Sequence, residues 1–237
     1  MSSQPSRFRR ALRVLWDWTR SIGGALLVFL LLRTFLIEGY HIPSGSMERT
    51  LLVGDWLFVN KALYGAEVPL LHAHLPPVRE PRRGDVIVFD SKTDPDQKIV
   101  KRLIGLPGDT LAMRASHLVR NGVVVEEPYA VHTDTAETAE PWRDVMRGWQ
   151  LSYLAADTAG YNPDLQNWGP IVVPPDSLFV LGDNRENSLD SRFWGFLPSQ
   201  NLRGSPMFVY FSYDAGSNDA LPWVTDVRWG RVGERVR

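Results

Sequence analysis

The stretch "QKIVKRLIGLPGDTLAMRASHLVRNGVVVEE", residues 97–127, indicates what kind of domain this chain forms. Short runs rich in Val, Ile and Leu are separated by Gly, Pro and Asp, which is typical of strands joined by turns. Asn121 and Gly122 stand between two apolar runs, and an Asn-Gly pair supplies the positive φ angles of a two-residue hairpin turn. Strands with no helices between them predict an antiparallel sheet.

The same pattern continues on both sides of this stretch. We predict further strands in "DWLFVNKAL" (55–63), "GDVIVFD" (84–90), "IVVPPDSLFVLGD" (171–183) and "MFVYFSYD" (207–214). Two interruptions are expected to be irregular: a loop at 62–83, and a solvated insertion at 126–170 with eight acidic residues against two arginines. The prediction is therefore a mainly β, antiparallel domain over residues 40–237 without a long helix.

The N-terminal part differs in composition. Residues 1–21 are basic, and "IGGALLVFLLLRTFLI" (22–37) is apolar apart from Arg33 and Thr34. Sixteen residues of helix fall short of a hydrocarbon core of about 30 Å, so we predict a transmembrane helix over 22–39 that starts as early as residue 16. The basic flank predicts a cytoplasmic N-terminus, with the remaining chain outside.

A cleaved secretory signal is the alternative for this segment, since such signals also have a basic head and a short apolar core. No small-x-small cleavage site follows the apolar run before Pro43, which favours a retained anchor.

Composition excludes several function classes. The 237 residues carry a formal net charge of −1, which gives no reason to expect nucleic-acid binding. The chain has no cysteine, so disulfides, a thiol nucleophile and a cysteine metal site are all excluded.

Three polar features stand out against this background. Ser44 and Ser46 flank a glycine just after the apolar segment, as in a turn or as in a serine nucleophile beside an oxyanion-binding amide. In the strand 97–105, alternation places Lys101 on the same face as Ile99 and Leu103. Burial lowers the pKa of a lysine, so Lys101 is either a neutral general base or a strand-end lysine that extends to water.

The third feature is the loop "LGDNRENSLDSRFWGFLP", residues 181–198. In it Ser188 is a candidate to hold a lysine amine, and Asp190 and Arg192 are candidates for a bracing ion pair; a solvated turn is the alternative. A Ser-His-Asp triad is disfavoured because nothing in the sequence marks one histidine among 41, 72, 74, 117 and 132.

Five ordered segments then reveal a family. "IPSGSM", "GDWLFVNK", "RRGDVIVF", "VKRLIGLPGD" and "GDNRENSLDSRFWGF", after a membrane segment, closely resemble bacterial type I signal peptidases. The likeness covers about 28–112 and 171–233 and thins out at 62–80 and 113–170. It implies a β catalytic domain of that family, behind one membrane helix, that cleaves signal peptides from exported preproteins with no metal or organic cofactor.

The resemblance also implies residue roles. Ser46 matches the nucleophile, Lys101 the general base and Ser44 an oxyanion donor. Ser188 matches the serine that positions the lysine, and Asp190 and Arg192 match a supporting ion pair. The pockets for small residues at −1 and −3 are expected to be lined by Ile42, Met47, Leu51 and Val100.

Departures from the family pattern affect the entrance of the site. Arg49 stands where the commonest sequence has proline, and His41 and Leu189 also differ, which concerns substrate preference. The expected partners are signal peptides and the lipid bilayer, with a monomer at the bacterial inner membrane. Three other readings stay open: a Ser–Lys self-cleaving regulator, a pilus-maturation peptidase and an inactive β scaffold.

Overall fold

The computed structural model describes residues 7–68, 73–92, 94, 97–132, 140–155 and 159–237, so His72 lies outside the described residues. Its α-helices are α1 Arg7–Phe35, α2 Glu140–Gln150, α3 Ser191–Trp194 and α4 Pro222–Thr225. Its strands are β1 Ile37–His41, β2 Asp55–Asn60, β3 Glu67–Val68, β4 Ala73–His74, β5 Val86–Asp90, β6 Lys98–Gly105, β7 Thr110–Arg114, β8 His117–Arg120, β9 Val123–Val124, β10 Trp168–Val172, β11 Ser177–Leu181, β12 Leu197–Pro198 and β13 Leu202–Ser212.

The fold is mainly antiparallel β, as the sequence predicts. A seven-stranded sheet has the order β1-β2-β13-β5-β6-β11-β12, a four-stranded sheet has the order β10-β7-β8-β9, and β3 pairs with β4. Each of these strand pairings is antiparallel. The predicted hairpin joins β8 to β9, and Asn121 and Gly122 have φ values of 53° and 80°.

Burial follows from the position of each strand. In β2, buried residues alternate with partly buried ones, as expected for a strand with one face on the core. In β5 all five residues are buried, because the strand lies inside the sheet between β13 and β6. The buried central strands position the polar side chains of the candidate site, since β6, which carries Lys101, lies between β5 and β11.

The N-terminal helix has other limits than the sequence predicts. It runs from Arg7 to Phe35, so the helix ends before the expected residue 39, whereas the membrane span itself, 22–39 with a start as early as 16, stays a prediction. Its C-terminal limit is set by sheet pairing, since Ile37–His41 pairs with β2 over all five residues. Within Leu12–Phe35, an 18-residue window has a mean hydropathy of 1.4, and α1 is long and apolar enough to cross a membrane. Its apolar side chains are exposed along the helix, which is compatible with a membrane anchor.

The expected solvated insertion at 126–170 is also corrected. Its helix α2 buries Met146, which joins β-strand residues such as Leu111 and Phe179 in one hydrophobic cluster. The segment therefore packs as part of the core, and its charged residues lie on the other faces of an amphipathic helix. The expected irregular loop at 62–83 contains the short pair β3 and β4.

Candidate active site

Ser46 lies in a single 3₁₀ turn, Gly45–Met47, which follows β1 closely. The preceding segment is fixed because the Ile42 amide donates to the Asp55 carbonyl at 2.8 Å. On the far side, the Asn184 amide donates to the Ser46 carbonyl at 3.1 Å. Met47 is buried beneath the turn, so the turn is held by the core as well as by hydrogen bonds.

Lys101 is brought to this turn by β6, whose neighbours in the sheet are β5 and β11. Its side chain is 4% exposed, which rules out the alternative of a lysine that extends to water. The Lys101 ammonium donates a hydrogen bond to Ser46 Oγ across 55 residues of sequence. The alternation argument therefore placed this lysine on the correct, apolar face.

The surroundings of Lys101 favour the neutral amine. Burial lowers its pKa to about 8; the negative charges of Asp190 and Asp183 oppose this shift, and the positive charge of Arg192 adds to it. A pKa near 8 leaves a substantial fraction of the amine unprotonated close to neutral pH, which suits a general base.

Ser44 lies on the exposed side of the same turn. Its hydroxyl oxygen is 3.5 Å from Ser46 Oγ, at the outer limit of a hydrogen bond. The two serines thus face the same solvent-accessible volume in front of the lysine.

The loop after β11 supplies the buried ion pair that the sequence suggests. The Arg192 guanidinium donates to both oxygens of Asp190 at 2.8 Å, and neither residue is exposed. Burial alone would raise the pKa of Asp190, but the charge and hydrogen bonds of Arg192 and the Gly182 amide lower it below its ordinary value. Asp190 is also the N-cap of α3.

Ser188 is close to the site but is not joined to the lysine. Within the described part of the chain, its buried hydroxyl has no hydrogen-bond partner, so the expected contact with Lys101 is not formed. It packs instead against Gly182, where a Cβ would come within 2.2 Å of Ser188 Oγ and 2.5 Å of the Ser46 carbonyl oxygen. Only glycine lets these two loops approach so closely.

Two cavities meet at the serine and the lysine. A small one of about 90 Å³ is lined by the end of β1, by residues between 42 and 47, and by the start of β6. Its lining includes Ile42, Met47 and Val100. A larger one of about 510 Å³ extends to α2 and α3 and is mostly apolar. Five residues line both cavities: Ser44, Ser46, Gln97, Ile99 and Lys101. Leu51, the fourth expected pocket residue, is fully buried and lines neither of these two cavities.

Residue 49, where the commonest family sequence has proline, lies in a turn with a left-handed main chain. Arg49 has φ = 82°, whereas proline is fixed near −65°, so proline cannot occupy this turn as it stands.

The sequence does not single out a second buried ion pair beside the site. Arg102, directly after the lysine, donates to both oxygens of Asp183 at 2.7 and 2.6 Å. Both side chains are buried, although alternation alone places Arg102 on the face away from Lys101. The sequence contains both residues in polar segments, "KR" (101–102) and "GDN" (182–184), but only the structure shows that they form a pair.

Two of the described histidines have other contacts. His41 packs on Trp56 with ring centroids 5.0 Å apart, and His132 faces Glu186 at 3.1 Å. Among the residues that the structure describes, no three His, Asp or Glu side chains form a group that could hold a metal ion.

Comparison with known proteins gives a consistent family. Residues 15–211 match the profile of the family described as signal peptidase, peptidase S26. The signal peptidase I of Pseudomonas aeruginosa is 34% identical over 234 residues, which cover 93% of this chain and 79% of the relative. The signal peptidase I P of Bacillus subtilis subsp. natto is 35% identical over 200 residues, which cover 83% of this chain and 89% of the relative.

A solved structure of a signal peptidase I from Enterococcus faecalis V583 is also similar. It shares 30% sequence identity with this chain, and the alignment covers 54% of this chain and 97% of that one with a TM-score of 0.36.

Proposed function

The chain belongs to the signal peptidase family, peptidase S26, which makes it a serine peptidase that removes signal peptides; on this premise we propose that it does so with Ser46 as nucleophile and Lys101 as general base. The observation that carries the proposal is the hydrogen bond between a buried lysine of lowered pKa and the hydroxyl of Ser46. The carboxylates of Asp183 and Asp190, whose charges act on Lys101, are paired with arginines. A buried lysine of lowered pKa that lines a cavity is a candidate for catalysis.

The reaction begins with the neutral amine of Lys101. Its lone pair takes the proton from Ser46 Oγ as the oxygen forms a bond to the carbonyl carbon of the residue at −1. The carbonyl π electrons move to the oxygen and form an oxyanion. The Ser44 hydroxyl and the Ser46 amide donate to that oxygen, and one such donor contributes roughly 3–4 kcal/mol in a serine protease.

Collapse of this intermediate breaks the peptide bond. The Lys101 ammonium returns its proton to the leaving nitrogen, which departs as the new N-terminus of the mature protein. A water molecule then attacks the acyl-enzyme with Lys101 again as base, releasing the signal peptide as a carboxylate and restoring Ser46.

Substrate selection is assigned to the small cavity. Ile42, Met47 and Val100 leave about 90 Å³, which suits small side chains at −1 and −3. An extended substrate that docks as an added strand along β1 would direct alternate side chains into it. Leu51 supports this wall from within the core. Asp190, Arg192 and Ser188 hold the loop that packs on the Ser46 carbonyl.

We assign the enzyme to the bacterial inner membrane as a single-pass monomer. The basic N-terminal flank lies in the cytoplasm, the apolar part of α1 within Leu12–Phe35 crosses the bilayer, and residues 40–237 lie outside, with 113–170 as a less family-like part. No metal or organic cofactor is required by the steps above.

The test is cleavage of a purified preprotein by the detergent-solubilised full chain, with the cut mapped by mass spectrometry. We expect one cut after a small residue, and complete loss of cleavage in Ser46→Ala and Lys101→Ala. Ser152→Ala and Lys61→Ala, at exposed or surface ion-pair positions, are the matched controls and should cleave normally. Near-normal turnover by Lys101→Ala would refute the dyad, and no cleavage by the unmodified chain would favour the inactive scaffold.

A further inference from the structure

Helix α2 presents two different faces. Met146 and Gln150 are buried, and the Trp149 indole donates to the Arg192 carbonyl at 2.8 Å, which fixes the helix to α3. Trp142 and Val145, three residues apart, lie on a neighbouring face and are 40% and 45% exposed. This exposed face carries apolar side chains where a solvated helix would carry polar ones.

The exposed face of α2 forms one wall of the larger cavity. Trp142 and Val145 line it together with Phe193 and Leu189, and the cavity opens directly onto Ser46 and Lys101. Trp142 packs edge-on against Phe193 with ring centroids 5.0 Å apart, so the wall is a preformed aromatic surface. A volume of about 510 Å³ is within the usual range of ligand pockets.

The course of the chain indicates which part of a substrate this cavity receives. The small cavity is lined by Tyr40 and His41 at the end of β1, and β1 follows α1 after a single residue, Leu36. A signal peptide held in the bilayer therefore approaches along the side of β1 and the small cavity. The larger cavity also reaches Ser46 and Lys101, but α2 and α3 contribute to its wall and none of its described lining residues belongs to β1. The chain that follows the scissile bond is therefore assigned to the larger cavity.

We propose that α2 forms the wall of a subsite for a bulky apolar side chain in the first two residues of the mature protein. This inference rests on the proposed function and extends it to the substrate segment after the cut. The less family-like segment 113–170 then contributes to substrate preference, because its Trp142 and Val145 line the same cavity as Ser46 and Lys101.

The charges around the cavity refine the preference. Of its described lining residues, only Lys92 and Lys101 are ionisable, and both carry positive charge when protonated. Lys92 donates to the Trp194 carbonyl at 3.0 Å, so it is held at the wall. A lysine or arginine of the substrate would meet a like charge there and should be disfavoured.

The test uses synthetic peptides with alanine at −3 and −1 that differ only at +1 or +2, where they carry Ala, Phe or Lys. The unmodified full chain should give a kcat/KM for the best Phe peptide roughly tenfold above that for Ala, the lower end of what an apolar pocket discriminates. Lys should fall below Ala. In Trp142→Ala the Phe-to-Ala ratio should approach one, mainly through a higher KM for the Phe peptide.

A second variant guards against a simple folding defect. Val145→Trp places a larger side chain in the cavity and reduces its volume, so it should impair cleavage of the Phe peptide and leave the Ala peptide unaffected. Trp223→Ala, at an exposed tryptophan of α4 that lines neither cavity, is the matched control and should keep the unmodified ratio.

The outcomes separate the two proposals. An unchanged Phe-to-Ala ratio in both α2 variants overturns the inference. If the unmodified chain cleaves all peptides equally, the α2 subsite is refuted while the proposed function stands. If it cleaves no peptide and no preprotein, the proposed function itself fails.

Discussion

At the scale of single residues, Lys101, the proposed general base, imposes a cost on the fold. A decrease of its pKa from 10.5 to about 8 corresponds to roughly 3 kcal/mol, the free energy needed to keep a proton on the buried amine. The unfolded chain binds this proton more tightly than the folded one. The cost is therefore fully present below pH 8 and disappears as the pH rises from 8 to 10.5.

Catalytic activity should depend on the same ionisation. We expect kcat/KM for a peptide substrate to increase with pH and to reach half of its maximum near pH 8, because only the unprotonated amine accepts the Ser46 proton. Initial rates between pH 6 and 10 measure this.

The variant Lys101→Met provides the control for the effect of this ionisation on stability. The unfolding free energy of the unmodified chain should approach that of the variant as the pH rises from 8 to 10.5. A rate that is constant from pH 6 to 10 would contradict a lysine base.

At the scale of elements, the Asp190–Arg192 pair holds the loop that carries both the α3 cap and the contact to Ser46. We expect Arg192→Met to lower the unfolding free energy by about 3–5 kcal/mol, because it leaves the Asp190 carboxylate buried without its partner. Urea unfolding followed by tryptophan fluorescence measures the loss.

Two further variants test whether the loss of stability comes from breaking the buried pair or from removing any arginine. Arg228→Met removes an exposed ion pair with Asp214 and should cost no more than about 1 kcal/mol. Adding Asp190→Asn to Arg192→Met should recover part of the loss, since the uncompensated charge is removed. Equal losses in Arg192→Met and Arg228→Met would show that burial of the pair contributes nothing.

Strands and turns were predictable because their signals are local. The alternation in β2, the apolar run of β5 and the Asn121-Gly122 turn each specify their structure within a few residues. Helix α2 was missed because its helical pattern is short and its sequence is polar, so its apolar face became meaningful only against the tertiary cluster around Phe179. The end of α1 was misplaced since pairing with β2 overrides the apolar pattern there.

The candidate site was predictable to the extent that single residues were anomalous. Lys101 stood out as a lysine on an apolar face, and its contact with Ser46 is present. Two other contacts were not predictable. Arg102 pairs with Asp183, which is far away in the sequence, and Ser188 packs on Gly182 only because of the course of the loop between them. No spacing in the sequence indicates either contact. The roles assigned to these residues stay predictions until activity is measured.

At the scale of the whole molecule, the long apolar helix α1 is joined to a β domain but is not buried in its core. The absence of cysteine from all 237 residues makes the membrane arrangement directly testable. We expect Asp219→Cys in intact bacterial cells stripped of their outer membrane to react with an impermeant maleimide, whereas Gln4→Cys should react only after lysis. Ser152→Cys, exposed on the same β body, is the control and should behave as Asp219→Cys does.

Two results would contradict this topology. Labelling of Gln4→Cys and Asp219→Cys from the same side would exclude a single crossing. A shortened mature chain that has lost position 4 would identify the segment as a cleaved secretory signal.

The short connection between α1 and β1 has a mechanical consequence. Only Leu36 separates the helix from a strand that is paired along its full length, so little slack exists between anchor and reaction centre. Five extended residues span about 17 Å. With the helix in the bilayer, the reaction centre lies at a fixed distance from the lipid surface. We expect poor cleavage of a preprotein whose scissile bond lies much nearer to its own apolar segment than this distance, because the bond would not reach the site.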